Sequence, residues 1–471
     1  MSWKSERGLS GRAAILGLAI FCMAFGQAGA QERVFPVDVL KQDLQFYQAQ
    51  LERRHPNLYL YTTKQSIGLF FDSLNTLIDR PMTELEFYRI LALSSSVVND
   101  GHTLILPSAA TTEFHNTNSL FLPFQITISD NALYVRLVCT ADRSIPEGAQ
   151  IIRINGIPAS EALGQMVKRQ VRDGLNTAYA YWALGQYFRE YYSYTFGHPD
   201  AFDIEYLQGD DAVQARAGAL PKGSIYYYRA LYYPGVSFEN EPLTGLTLRF
   251  EGSGNDIAIL TVKDFHNEVL RREYKQHFKK AISGYFNTIM NSGAENLIID
   301  LRDNQGGDVK NGVFLLSYLL DRPFKVISEC HCIRHEKYSS CKGPSAGVHR
   351  PRRKTFRGDL YVLINGGSFS NSVIVASCLK ENGRAVFIGQ QSGGNPNVLA
   401  GYADDFELPH TKIRVEVPSK RLILTSLARN TGAGLEPTYE AHSSIADILN
   451  GTDAVLDFAI GLIKQKGGNG K

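Results

Sequence analysis

No stretch of this 471-residue chain beyond residue 25 is long and apolar enough to span a bilayer, so stable membrane insertion of the mature protein is not expected. Charge of one sign is missing too. Lys and Arg number 49 against 47 Asp and Glu, a formal charge of +2, which offers no electrostatic case for nucleic acid as the main partner. The one basic run, His349 to Lys354, has no aromatic residue interleaved and reads as a solvated loop. Internal repeats are lacking, as is low complexity apart from the Gly-Lys tail. Cysteine is scarce, six residues in all, and Cys330-His-Cys332, His335 and Cys341 match no common zinc spacing. Neither a metal nor any other cofactor is therefore expected.

What is present begins with an export signal. Lys4, Arg7 and Arg12 precede an apolar run from Ala13 to Phe25, and Gln27-Ala-Gly-Ala30 has the small residues that signal peptidase reads. Residues 1–30 are read as a signal peptide cleaved before Gln31, and the mature protein as periplasmic or secreted. Cys22 lacks the small neighbours of a lipid-attachment site. In an oxidising compartment the remaining cysteines favour a local disulfide, with Cys332 to Cys341 across a hairpin as the expected pair. Cys139 and Cys378 sit on apolar faces and read as core.

The length implies two to four domains. Residues 31–117 read as a helical N-terminal domain. Val37, Leu40, Leu44, Tyr47 and Leu51 recur at helical spacing between Pro36 and Pro56. A capping box, Thr83-Glu-Leu-Glu86, opens a second helix that stops at Asn99-Asp-Gly101, leaving His102 just beyond it. Residues 118–222 alternate as strands. The strand Ala149 to Ile154, its Asn155-Gly156 turn and the helix after it resemble a PDZ domain, carrying a Tyr-rich helical insert from Gln170 to Phe196. Residues 223–471 alternate strand and helix. The strands Ile257–Val262, Leu297–Leu301, Leu360–Ile364 and Ala385–Ile388 are apolar and β-branched, which implies a largely parallel sheet covered on both faces.

Two junctions in that last region carry chemistry. The strand ending at Ile364 runs through Asn365-Gly-Gly-Ser-Phe-Ser370 into a helix, and the strand ending at Leu301 runs into Arg302-Asp-Asn-Gln-Gly-Gly307. Acyl transfer needs a hydroxyl at a helix N-terminus and a Gly-rich turn whose backbone N–H groups face a developing oxyanion. Ser368, Ser370 and Ser372 all lie at the junction, and each also suits a turn or helix cap.

Asp-Leu-Arg-x-Asn-x-Gly-Gly, then Asn-x-Gly-x-x-Ser, then Asn-Gly-Arg-Ala-x-x-Ile-Gly resemble the carboxyl-terminal processing (tail-specific) serine peptidases and the related tricorn core protease. The order of regions along the mature chain is similar as well. The resemblance implies an α/β multidomain protein: a helical N-terminal region, a PDZ-like β-rich domain and a crotonase/ClpP-like catalytic core. It selects Ser370 as nucleophile and maps the oxyanion donors to Asn371 and to Gly306 or Gly307. It implies a protein or peptide substrate and leaves the oligomeric state open.

The chain departs from the Ser–Lys members at one position. Where they carry the lysine that activates the serine, it has Asn395, which cannot accept a proton. The tricorn-like branch uses a histidine instead, and His102 in Asn99-Asp-Gly-His-Thr103 resembles its motif, with His410 as the rival. A histidine base of ordinary pKa predicts activity rising through about pH 6 to 7. Glu436, near a Gly-x-x-Pro motif, is the candidate to orient the histidine, and Glu440 is the alternative. Asp300 and Arg302 are expected to brace a strand end. The competing function is a non-catalytic ligand- or peptide-binding protein on the same scaffold.

Overall fold

The computed structural model describes residues 32–236, 245–252, 254–334, 337–426 and 429–468. The expected signal peptide, Cys22 and His335 lie outside the described residues. Among the described residues, no helix is long and apolar enough to cross a membrane.

The helical start follows its periodicity. The helix Val37–Arg54 buries Leu40, Leu44, Tyr47 and Leu51 along one face, begins after Pro36 and ends at His55. The helix Glu84–Leu91 opens on the expected capping box, in which Thr83 Oγ1 accepts from the Glu86 N–H and the Glu86 carboxylate accepts from the Thr83 N–H. A tight turn and the short helix Ser95–Val98 extend it to Asn99, whose left-handed backbone (φ 50°) stops it. These helices share a core with Leu408, Ile413, Val415 and Val417 from far along the chain.

The middle region is an antiparallel sheet. Its strands Phe124–Ser129, Ala132–Val138, Gln150–Ile154, Ala201–Gln208 and Asp211–Gly218 lie side by side in that order. Residues such as Leu133, Val135, Ile151 and Ile154 face a core closed by the helices Ala159–Val167 and Ala178–Phe196. The helix Lys222–Tyr232 spans the expected boundary at 222/223 and packs Ile225 on Phe121, Leu137 and Cys139 of the sheet side.

The third region holds two sheets. In the first, Ile257–Val262, Asn296–Asp300, Asp359–Ile364 and Val386–Gly389 run parallel and adjacent, with Leu246–Glu251 antiparallel on one edge and Tyr439–Glu440 on the other. One face buries the helices Phe278–Ser292, Val309–Leu319 and Asn371–Glu381. The other is covered by the C-terminal helix through Val455, Leu456, Ala459 and Ile463. Between the first two parallel strands lie two helices, Asn267–Arg272 and Phe278–Ser292, with Lys275 between them at φ 56°. The second sheet pairs Lys337–Ser340, Ile327–Arg334, Arg414–Leu424 and Val398–Glu407 in that order. A strand from the N-terminal region, Leu104–Leu106, also joins it, pairing antiparallel with Arg414–Glu416.

Candidate active site

Both loops singled out in the sequence leave the same end of the parallel sheet, because Asn296–Asp300 and Asp359–Ile364 are adjacent and parallel. Loops at the carboxyl ends of such strands form the crevice where ligands sit. Arg302 braces this end, as expected: its guanidinium bonds Asp300 and Asp453, the latter just before the C-terminal helix.

The three serines are distinguished by their partners. Ser368 donates to the Leu301 carbonyl at 2.8 Å, and Ser372 to the Asn304 carbonyl at 2.7 Å, so both hydroxyls hold the two loops together. Ser370 makes no capping bond although it precedes the helix Asn371–Glu381. Its backbone lies at φ 53°, ψ −117°, a conformation non-glycine residues rarely adopt. Such strain on a sharp strand-to-helix turn pushes a hydroxyl out of the helix and into the cleft.

His102 reaches this hydroxyl, with Nε2 3.1 Å from Ser370 Oγ. Two residues on, the strand Leu104–Leu106 ties the His102 loop to the second sheet, and the imidazole leans on the Phe369 ring with centroids 4.8 Å apart. Burial, opposed by the charge of Asp100, brings its pKa down from 6.5 to about 4. The imidazole is then neutral at neutral pH and able to accept a proton, and the titration expected near pH 6 to 7 moves down. His410 does not compete. It lies in a hairpin turn, its ring on Gln42 and its backbone N–H on Asp43.

Glu436 is not beside the histidine. It is exposed, with its carboxylate bonded to Gln391, and Glu440 is exposed on the edge strand. The buried acids behind His102 are Asp100 and Asp173. Asp100 Oδ1 accepts the His102 N–H at 2.9 Å and the Thr103 hydroxyl at 3.1 Å, and stands 3.6 Å from His55 Nε2. Desolvation raises its pKa, but His55 and His102 outweigh this and hold it below the ordinary carboxylate range. Asp173 accepts the Gly101 N–H at 2.8 Å and the Asn395 N–H at 3.3 Å. Desolvation, reinforced by the charge of Asp100, pushes it up to about 8. Both directions favour a protonated Asp173 beside an ionised Asp100. Asp100 stood in the quoted histidine motif without a role; nothing in the sequence marked Asp173 or His55. Asn395 is a buried connector, its amide on Tyr61 and Asn430.

The oxyanion donors also change. The Gly306 N–H is occupied by Asn304 Oδ1 at 2.8 Å, which removes it as a donor. Its glycine is needed for another reason: a Cβ there would lie 2.7 Å from the Asn371 nitrogen and from Ser370 Cβ. Gly307, at φ 127°, packs so close to the His266 backbone that a side chain would collide. Among the described residues its N–H and that of Asn371 are without a protein acceptor. Gly307, Ser370 and His102 line one cleft of about 350 Å³ with Ile374, Leu399, Glu416 and Leu422. A larger cleft of about 530 Å³, lined by Trp182, Arg302 and His442, holds no such nucleophile and base.

Residues 256–441, which contain both loops and Ser370, match the profile of peptidase family S41. Within curated proteins the chain is similar to the chloroplastic carboxyl-terminal-processing peptidase 2 of Arabidopsis thaliana, 27% identical over 31% of this chain and 27% of that protein. It is also similar to the tail-specific protease of Haemophilus influenzae, 28% identical over 41% of this chain and 25% of that protein. These matches thus span about a quarter of each relative's length. Among solved structures, mature CPAF complexed with lactacystin aligns over 91% of this chain and 98% of its own, with a TM-score of 0.66 at 15% identity. At that identity the likeness is one of fold.

Proposed function

We propose that this protein is a serine peptidase that cleaves proteins or peptides through an acyl-enzyme on Ser370, with His102 as the base. The observation that carries the reading is the 3.1 Å contact between His102 Nε2 and a Ser370 hydroxyl that no capping bond restrains. In the proposed reaction Ser370 Oγ attacks the scissile carbonyl carbon while its proton passes to His102 Nε2. The carbonyl oxygen becomes an oxyanion and accepts from the N–H groups of Gly307 and Asn371. His102 then returns the proton to the leaving amine. Water attacks the acyl-enzyme, again losing its proton to His102, and the acid leaves Ser370. Asp100 and Asp173 act as positioning residues through the His102 loop. The S41 match and the lactacystin complex of the similarly folded CPAF support a serine nucleophile.

In this reading the chain belongs with the histidine-using, tricorn-like branch, since Asn395 stands where a lysine base would. Residues 118–222 serve as a PDZ-like domain, and the last region is a crotonase/ClpP-like core. The mature protein begins at Gln31 and works in the periplasm or outside the cell. A fluorophosphonate probe tests the chemistry: it should label the wild type and not Ser370→Ala. A well-folded wild type that stays unlabelled would instead identify a non-catalytic binding protein.

A further inference from the structure

The edge hairpin Ile327–Arg334 / Lys337–Ser340 brings three cysteines onto one patch of the second sheet. Its register pairs His331 with Ser340 and Cys332 with Ser339, so the next residues out, Cys330 and Cys341, face each other. The Cys341 N–H donates to the Cys330 carbonyl at 2.9 Å, and the two Sγ atoms stand 2.6 Å apart. That is about half an ångström beyond a disulfide bond and too close for two non-bonded sulfurs. Cys332, two residues along the same strand as Cys330, projects from the same face and is diagonal to Cys341. The hairpin spacing alone suggested Cys332 with Cys341; the register makes Cys330 the direct partner.

We infer that Cys330 and Cys341 form a disulfide and that Cys332 is the thiol which exchanges with it, making this hairpin a redox-modified site on the wall of the cleft. Burial and the neighbouring Cys330 and Cys332 sulfurs push the Cys341 pKa up to about 12. In the thiol form it therefore stays protonated at neutral pH, and an oxidant must reach it. It is the least buried of the three, with Cys330 and Cys332 both 6% exposed. The balanced step uses a low-molecular-weight disulfide as oxidant. Cys341 gives up its proton as its sulfur attacks one sulfur of R–S–S–R, and R–S⁻ leaves and takes up that proton. The Cys330 thiolate then attacks Cys341 Sγ, and a second R–S⁻ leaves and is protonated. Two protein thiols have lost two electrons and two protons, and the oxidant has become two R–SH. In exchange, the Cys332 thiolate attacks Cys341 Sγ and Cys330 leaves as the thiolate. The site adjoins the cleft directly, because Cys330 is in register with Leu422, and Leu422 lines the cleft that holds Ser370. None of this depends on the peptidase reading.

The full mature chain, treated with oxidised glutathione and then alkylated in denaturant without reductant, tests the assignment by peptide mapping. The wild type should lose the mass of two hydrogen atoms, with Cys341 cross-linked and Cys139 and Cys378 alkylated. Cys332→Ser should retain the Cys330 to Cys341 link, Cys330→Ser should shift it to Cys332, and Cys341→Ser should show none. A wild type whose Cys341 is fully alkylated after oxidation overturns the disulfide. A Cys330→Ser protein with no Cys332 to Cys341 link overturns the exchange role. Circular dichroism melts of each variant exclude misfolding as the cause.

Discussion

Measuring the rate of fluorophosphonate labelling from about pH 4 to about pH 8 separates two states of His102 without needing a substrate, because Ser370 must hand its proton to the imidazole as it attacks phosphorus. An ordinary histidine at 6.5 would be only about 3% neutral at pH 5 and about three-quarters neutral at pH 7, so labelling would rise about twenty-five-fold between them. Burial against Phe369 and the surrounding loop brings His102 to about 4. The neutral form then predominates above that value, and the rate should be nearly flat from about pH 5 upward and fall only in more acid solution. His102→Ala should slow labelling by about a hundred- to ten-thousandfold, while His410→Ala should leave it unchanged. A midpoint at pH 6 to 7 would show that the ring is solvated. Near-normal labelling of His102→Ala would remove it as the base.

Ser370→Gly and Ser370→Ala should both abolish labelling, but the glycine variant should be the more stable by about 1 kcal/mol, since φ 53° with ψ −117° costs glycine little. Equal urea midpoints for the two would show that the turn is unstrained. Asp173 has its pKa raised, so its contribution to stability is complete below the ordinary carboxylate value of 3.8 and is lost as pH rises toward about 8. Asp173→Asn keeps one acceptor, for the Gly101 N–H, but turns its NH2 toward the Asn395 N–H, so it should cost about 1 kcal/mol at neutral pH and gain on the wild type as pH approaches 8. Asp173→Ala, which strands the Gly101 and Asn395 N–H groups, should cost about 2–4 kcal/mol in urea unfolding. An asparagine variant as damaged as the alanine one would mean that Asp173 is ionised in the folded protein.

Local pattern carried much of the architecture. The helix Val37–Arg54 and the capping box at Thr83 were legible because their spacing and caps are properties of a few consecutive residues. The four parallel strands were legible because burial on both faces demands unbroken apolar β-branched runs. The strand Val398–Glu407 was not. Its exposed stretch, from Tyr402 to Asp405, interrupts the alternation that marks a half-buried strand.

The site divides along the same line. That a serine would stand at a strand-to-helix turn opposite a Gly-Gly turn followed from the sequence, because each junction is local and the residue types there do one thing well. Which hydroxyl is free was a tertiary question: those of Ser368 and Ser372 are taken up by the carbonyls of Leu301 and Asn304 that the fold brings to them. Gly306 lost its place to an Asn304 side chain for the same reason, and Cys332 lost its partner to a register set by the sheet. Glu436 looked suitable by motif but faces Gln391, while Asp173, unmarked in the sequence, is carried to the His102 loop. The chain by itself determined which groups could react. Their distances, partners and protonation were decided by contacts between residues as far apart as 102 and 370, because desolvation and hydrogen bonding depend on neighbours in space.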